Sequence, residues 1–263
     1  MNGAHNTRVW PLAAVVFAVS MAAWIYLLQG AGTGMSVALM STFAFPPPIP
    51  GFAGSAQWTF GYALTMLNMW FVMMVAMMLP ATLLGLIVPR FAGGAGCLDQ
   101  SCARQGLTAN LARVGGYLLA WLGFSIAATA LQYALEQTGV LHGMLMWSTS
   151  LTLSAGLLIA AGLYQFTPWK TASIAACCDK QVPSDREGFA AQTSVGLAEG
   201  LACVGRCVML MLLLFAGGIM NLVWIIGLAA VSAVEGVAAR RPLPKRLIGG
   251  ALLLAGAYLL LVR

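Results

Sequence analysis

Cysteine and methionine side chains are the groups in this sequence with the clearest chemical potential, and one stripe of residues near position 200 contains two thiols. Glu199, Cys203, Arg206 and Cys207 follow one another at i, i+4, i+7 and i+8, so a helix would carry them on one face. Thiolates bind soft metal ions or exchange electrons. Ionisable residues within an apolar segment indicate function. The alternative is that Glu199 and Arg206 simply pair or extend toward solvent at a helix end.

A second stripe consists of thioether side chains. Four methionines recur at intervals of 3, 4 and 4 in one apolar segment, with two more beside them: Met66, Met69, Met73 and Met77, then Met74 and Met78. Alone, such a stripe is more often packing than a ligand set. Thioethers combined with thiolates, however, select Cu(I) among biological metals. The two stripes together predict a soft-metal site, with Met73 and Met77 along a path toward the thiols.

Other kinds of site have little support in the sequence. The two histidines, His5 and His142, are predicted on opposite sides of a membrane, so a histidine metal site or a nucleophile–histidine couple is not expected. The glycine-rich stretch at 93–96 has no Lys-Ser or Lys-Thr after it to form a phosphate loop. The net charge of +6 accompanies no nucleic-acid motif, so nucleic acid is not an expected partner. No catalytic constellation is visible in the sequence, so a non-enzymatic role is favoured.

The elements that position these residues are predicted from composition. The chain has 263 residues, of which 60% are hydrophobic and 8% charged, and its mean hydropathy is +0.88. Soluble domains carry about 25% charged residues. The sequence therefore predicts an all-α, polytopic membrane protein in a lipid bilayer, forming a single transmembrane domain over 1–263.

Apolar segments of about 20 residues, enough to cross a bilayer, give the span count. Seven are predicted, at about 9–28, 60–89, 114–135, 145–166, 195–217, 219–239 and 247–262. A single long helix through Gly217-Gly218 would reduce the count to six. A hairpin there is favoured, because about 45 residues of continuous helix would be longer than the bilayer is thick.

The distribution of basic residues predicts the orientation. Four alternate segments hold 11 of the 13 Lys and Arg, among them Arg113 and Lys170, and positive residues concentrate in cytoplasmic loops. The prediction is an inner N-terminus and an outer C-terminus. The six cysteines would then lie on or near the reducing cytoplasmic side, where structural disulfides are disfavoured: Cys97, Cys102, Cys177, Cys178, Cys203 and Cys207.

Three segments in a fixed order resemble a bacterial family of predicted metal-binding integral membrane proteins of unassigned function. They are Trp70-x-x-Met73-x-x-Ala76-Met77-Met78-x-Pro80, Tyr164-Gln165-x-Thr167-Pro168-x-Lys170 with Cys177 beyond it, and Gly200-Leu201-x-Cys203-x-Gly205-x-Cys207 followed by Gly218-x-Met220-Asn221-x-x-Trp224. The resemblance covers about residues 60 to 240 and implies a multi-pass protein of the bacterial inner membrane. It assigns thiols to Cys177, Cys203 and Cys207. Ser173 and Arg206 stand where the family has further cysteines.

The leading hypothesis is a metal-handling membrane protein that binds, delivers or transports Cu(I), with zinc as the alternative metal. Its candidate ligands are Cys203, Cys207, Cys177, Cys178, Met73, Met77 and Glu199. Two alternatives stay open: a membrane oxidoreductase that uses the thiols or a bound metal, and an accessory or assembly subunit of a membrane complex. A membrane protein partner or a homo-oligomer is compatible with the glycine-rich helices.

Overall fold

The computed structural model describes residues 9–34, 37–45, 47, 57–87, 107–143, 145–179, 188–237 and 242–261. Their regular structure is helical, apart from an isolated bridge between Leu141 and Ser148, which agrees with the all-α prediction. In chain order the helices are α1 Val9–Leu28, α2 Val37–Met40, α3 Phe60–Ile87, α4 Leu107–Gln137, α5 Leu151–Tyr164, α6 Pro168–Asp179, α7 Phe189–Leu212, α8 Leu214–Gly217, α9 Leu222–Val237 and α10 Pro242–Leu261.

Among the described helices, four segments are long and apolar enough to cross a membrane: Phe60–Pro80, Thr108–Gln137, Phe189–Gly217 and Leu243–Leu261. Helices α5 and α6 are bent by 63° relative to each other and together form a fifth candidate. The apolar segments Ala14–Leu28 and Leu222–Gly236 are shorter. The described residues thus contain four or five candidate spans, and the count of seven stays a prediction.

Helices α4 and α7 form the closest pair in the described structure, and they run parallel. Their order of contact shows the direction, because Arg113 meets Glu199 and, one turn on, Tyr117 meets Cys203. A glycine makes this approach possible, since a Cβ at Gly196 would overlap the backbone carbonyl of Arg113. The polar stripe of α7 therefore faces α4.

Helix α3 packs against α1, α4 and α9, and its methionines face the protein interior. The six side chains from Met66 to Met78 are 0–3% exposed: Met66, Met69, Met73, Met74, Met77 and Met78. Among them, Trp70 packs against Phe215 at a ring-centroid distance of 5.3 Å. The thioether stripe is therefore part of the core.

The chain reverses direction between α8 and α9. Gly218 has φ of 106°, a conformation that favours glycine, and Asn221 Nδ2 donates to the carbonyl of Gly217 at 2.9 Å. As a result α9 folds back along α7, which brings Ser232 to Cys207. The structure thus has the hairpin at Gly217-Gly218 and not a continuous helix.

Candidate metal centre

Two sulfur atoms from different helices contact one hydroxyl group in the core, and a third lies one helical turn away. Ser232 Oγ on α9 lies 3.2 Å from the sulfur of Cys207 on α7. The same oxygen lies 4.0 Å from the sulfur of Met78 on α3. Cys203 lies one helical turn before Cys207 on the same buried face of α7. We call Cys203, Cys207 and Met78 the sulfur cluster.

The sulfur cluster is isolated from water. Cys203 is 2% exposed, Cys207 0% and Met78 1%. Both cysteines are free thiols. The sulfurs of Cys207 and Met78 both contact the same oxygen, at 3.2 and 4.0 Å, so they are separated by no more than about 7 Å. A change of methionine rotamer can shorten that gap, because the thioether side chain has three rotatable bonds.

Two polar side chains donate hydrogen bonds to the sulfur of Cys203. The hydroxyl of Tyr117 on α4 donates to its sulfur at 3.4 Å. Arg206 Nη2 donates to the same sulfur at 3.8 Å, and the Arg206 side chain is 2% exposed. A buried guanidinium beside two thiols favours negatively charged forms of the cluster, such as metal-bound thiolates.

Glu199, a candidate ligand from the sequence, lies one turn before Cys203 in a different environment. Its carboxylate forms a buried ion pair with the Arg113 guanidinium, in which Arg113 Nε donates to Oε2 at 2.9 Å. This pair joins α4 to α7. The position of Glu199 indicates a role in holding the two helices together, and its oxygens are engaged by the guanidinium.

A second buried ion pair supports α6. Lys170 Nζ donates to Glu235 Oε2 at 2.7 Å, and Gln165 Nε2 donates to the other oxygen at 2.7 Å. Lys170 is fully buried although it is one of the basic residues expected in an inner loop. The bend between α5 and α6 turns this lysine into the protein, where α9 supplies its carboxylate. Lys170 of the Thr167-Pro168-x-Lys170 motif therefore has a structural role.

The remaining candidate residues have varied positions. Met73 and Met77 lie on α3 and are buried; Met77 directly precedes Met78, and Met73 lies about one and a half turns before it. Cys177 and Cys178 belong to the backbone of α6, but their side chains lie outside the described residues. Cys97 and Cys102 lie entirely outside the described residues. Within the described part of the chain, no three His, Cys, Asp or Glu side chains converge as in a zinc site.

Sequence reasoning gave no particular role to Met78, Ser232, Tyr117 or Arg113. Met78 lies next to the methionine stripe and near the end of the motif from Trp70 to Pro80, so the sequence did indicate this residue. Ser232 and Tyr117 offer none, since each is a single polar residue on an apolar helix whose partner is far away in the sequence. Their roles become visible only when α4, α7 and α9 are packed.

Comparison with known proteins adds one finding. The model of a family described as "PpoB2: Copper chaperone" matches residues 67–259, a range that includes the sulfur cluster and most of the described helices. No curated protein and no solved structure matches the chain. Because the match extends over more than half of the sequence, the chain belongs to the PpoB2 copper chaperone family.

Proposed function

We propose that this protein binds Cu(I) at the sulfur cluster and delivers or transports it as a membrane-embedded copper-handling protein. The observation that carries the proposal is a buried group of soft ligands, in which Cys207 and Met78 both contact Ser232 and Cys203 lies one turn before Cys207. Thiolate and thioether ligands are soft and suit Cu(I) among biological metals. The copper description of the family supports the same metal.

The charges of the buried side chains favour a monovalent metal ion. Among the described buried side chains, three are cationic and two are carboxylates, so their formal sum is +1: Arg113, Lys170, Arg206, Glu199 and Glu235. Two thiolates with Cu(I) carry −1, which brings this sum to zero. Two thiolates with Zn(II) are neutral and would leave a net buried charge, which is costly in a low-dielectric interior.

A position in the bacterial inner membrane is part of the proposal. Large apolar side chains on the outer helices are turned away from the core, among them Leu247 at 70%, Leu254 at 74% and Leu261 at 85% exposure. Lipid would cover such surfaces. The basic residues favour an inner N-terminus, which puts the sulfur cluster toward the cytoplasmic side. Membrane fractionation with carbonate extraction tests the location.

The methionines of α3 support movement of the metal in addition to binding. Met66, Met69, Met73 and Met77 form a buried file along one face of α3. The helical rise of 1.5 Å per residue separates successive members by about 4.5–6 Å along the axis. Neutral thioethers at this spacing offer Cu(I) a series of weak, exchangeable ligands that leads to the thiols. We call these four residues the methionine file.

The test is competitive loading of purified protein with Cu(I) against a chelator of known affinity. The Cys203→Ser, Cys207→Ser double variant should lose the tight site, and Met78→Leu should weaken it. Met21→Leu is the matched control, because Met21 lies on α1 and is 45% exposed. Melting temperature should be compared for all variants. An unchanged Cu(I) affinity in the double cysteine variant would rule out the sulfur cluster as the site.

A further inference from the structure

The end of α4 opposite the sulfur cluster contains a second group of metal-compatible ligands. Gln132 Nε2 donates to Glu136 Oε1 at 2.9 Å and to the sulfur of Met66 at 3.4 Å. Its other amide atom, Oε1, accepts a hydrogen bond from Trp70 Nε1 at 2.8 Å. The amide nitrogen therefore bridges a carboxylate oxygen and a thioether sulfur, two acceptors that point toward one position.

This arrangement has the chemistry of a cation site. The –NH2 group of Gln132 carries partial positive charge, and it occupies the place that a small cation would take between an anionic and a soft ligand. Gln132 and Met66 are fully buried. Glu136 is half-buried, and its second oxygen accepts from Trp58 Nε1 at 2.8 Å. The carboxylate can thus attract a cation from outside and pass it to the buried sulfur.

The two sites lie at opposite ends of the same helices. Tyr117, which contacts the sulfur cluster, and Gln132 are 15 residues apart on α4, a distance of about 22 Å along a helix. On α3, Met66 and Met78 are separated by about 18 Å on the same basis. Met66 is also the first member of the methionine file. The file therefore connects both ends.

We infer that Met66, Gln132 and Glu136 form a second, weaker site that accepts Cu(I) at the end of the bundle opposite the thiols. This inference rests on the proposed function and adds an entry point to it. Glu136 supplies the charge that attracts the ion, and Met66 supplies the soft ligand that retains Cu(I). Gln132 swings aside when the ion arrives, and its amide covers the site when the ion has left.

The experiment uses full-length protein without the tight site, the Cys203→Ser, Cys207→Ser variant. Ag(I), a redox-inert analogue, and Cu(I) are titrated, with bound metal counted after desalting. We expect this thiol-free protein to retain a weaker site. Adding Glu136→Gln or Met66→Leu should lower its affinity by about tenfold or more, since loss of even an outer-shell partner costs about 10- to 100-fold. Met21→Leu in the same background should leave the affinity unchanged.

Two results would overturn the inference. One is a thiol-free protein that binds neither ion, and the other is a weak site that both Glu136→Gln and Met66→Leu leave intact. The isosteric Glu136→Gln change at a half-buried position guards against loss of folding, and melting temperatures check it. In either case the sulfur cluster is tested separately, because Met66→Leu with the thiols present should retain tight Cu(I) binding. Failure of the second site is thereby distinguished from failure of the proposed function.

Discussion

Arg206 provides the sharpest test of how the site chooses its metal. Its guanidinium is 2% exposed, and Nη2 lies 3.8 Å from the sulfur of Cys203. When Cu(I) binds two thiolates the complex carries −1, and the adjacent guanidinium stabilises it. With Zn(II) the dithiolate complex is neutral, so the same cation contributes no comparable attraction. Replacing Arg206 by Gln removes this difference.

The size of the effect follows from the distance. Two unit charges about 4 Å apart interact by about 4 kcal/mol at an effective dielectric constant of about 20. Since 1.4 kcal/mol corresponds to a factor of ten in affinity, this is an upper limit of about 1,000-fold. The negative charge of the complex is spread over the metal and both sulfurs. We therefore expect Arg206→Gln to weaken Cu(I) binding by about 10- to 1,000-fold.

The assay is the ratio of Cu(I) and Zn(II) dissociation constants, measured by chelator competition in the same detergent. Arg206→Gln should lower Cu(I) affinity without lowering Zn(II) affinity, and Arg206→Lys, which keeps the charge, should recover most of the Cu(I) binding. Equal losses for both metals would indicate structural damage and not charge selection. Unchanged Cu(I) affinity in Arg206→Gln would show that the guanidinium charge does not stabilise the Cu(I) complex.

Three further changes test the packing that holds the site. Glu235→Gln leaves Lys170 buried beside a neutral amide, so we expect a loss of about 3–5 kcal/mol of stability, seen as a lower melting temperature in mild detergent. Gly116→Ala would push a methyl group into the backbone of α7 and destabilise the fold, whereas the neighbouring Gly115→Ala points into open space and should not. Ser232→Ala removes a hydroxyl that is not a ligand and should leave Cu(I) affinity nearly unchanged, whereas Ser232→Leu fills the space between the sulfurs and should abolish binding. Retained Cu(I) binding in Ser232→Leu would place the metal elsewhere.

Periodicity was sufficient to group the residues that share one helix face. The spacing of Glu199, Cys203, Arg206 and Cys207 predicts one stripe, and the structure buries all four in the interior. The methionines of the α3 stripe are likewise buried, but every residue from Met73 to Leu79 is buried too, so this part of α3 is enclosed on all sides. Within a helix, spacing alone determines which side chains are neighbours, so these groupings need no tertiary information.

Contacts between helices were not predictable in the same way. The predicted span boundaries and the concentration of basic residues on the cytoplasmic side put Arg113 and Lys170 in inner segments. The structure starts α4 at Leu107 and bends the chain before α6, so both cations are buried against carboxylates. A single sequence contains no sign that Glu235 would be the partner of Lys170, since the two are 65 residues apart. Burial of a charge depends on its partner, and the partner is a property of the packed bundle.

We propose that sulfur atoms alone hold Cu(I) in the sulfur cluster. X-ray absorption at the copper edge of stoichiometrically loaded protein tests it most directly. We expect two or three sulfur neighbours in the wild type, with one fewer or a weaker shell in Met78→Leu and loss of the sulfur shell in Cys203→Ser, Cys207→Ser. A copper shell of nitrogen and oxygen in the wild type, or an unchanged sulfur shell in the double cysteine variant, would contradict it.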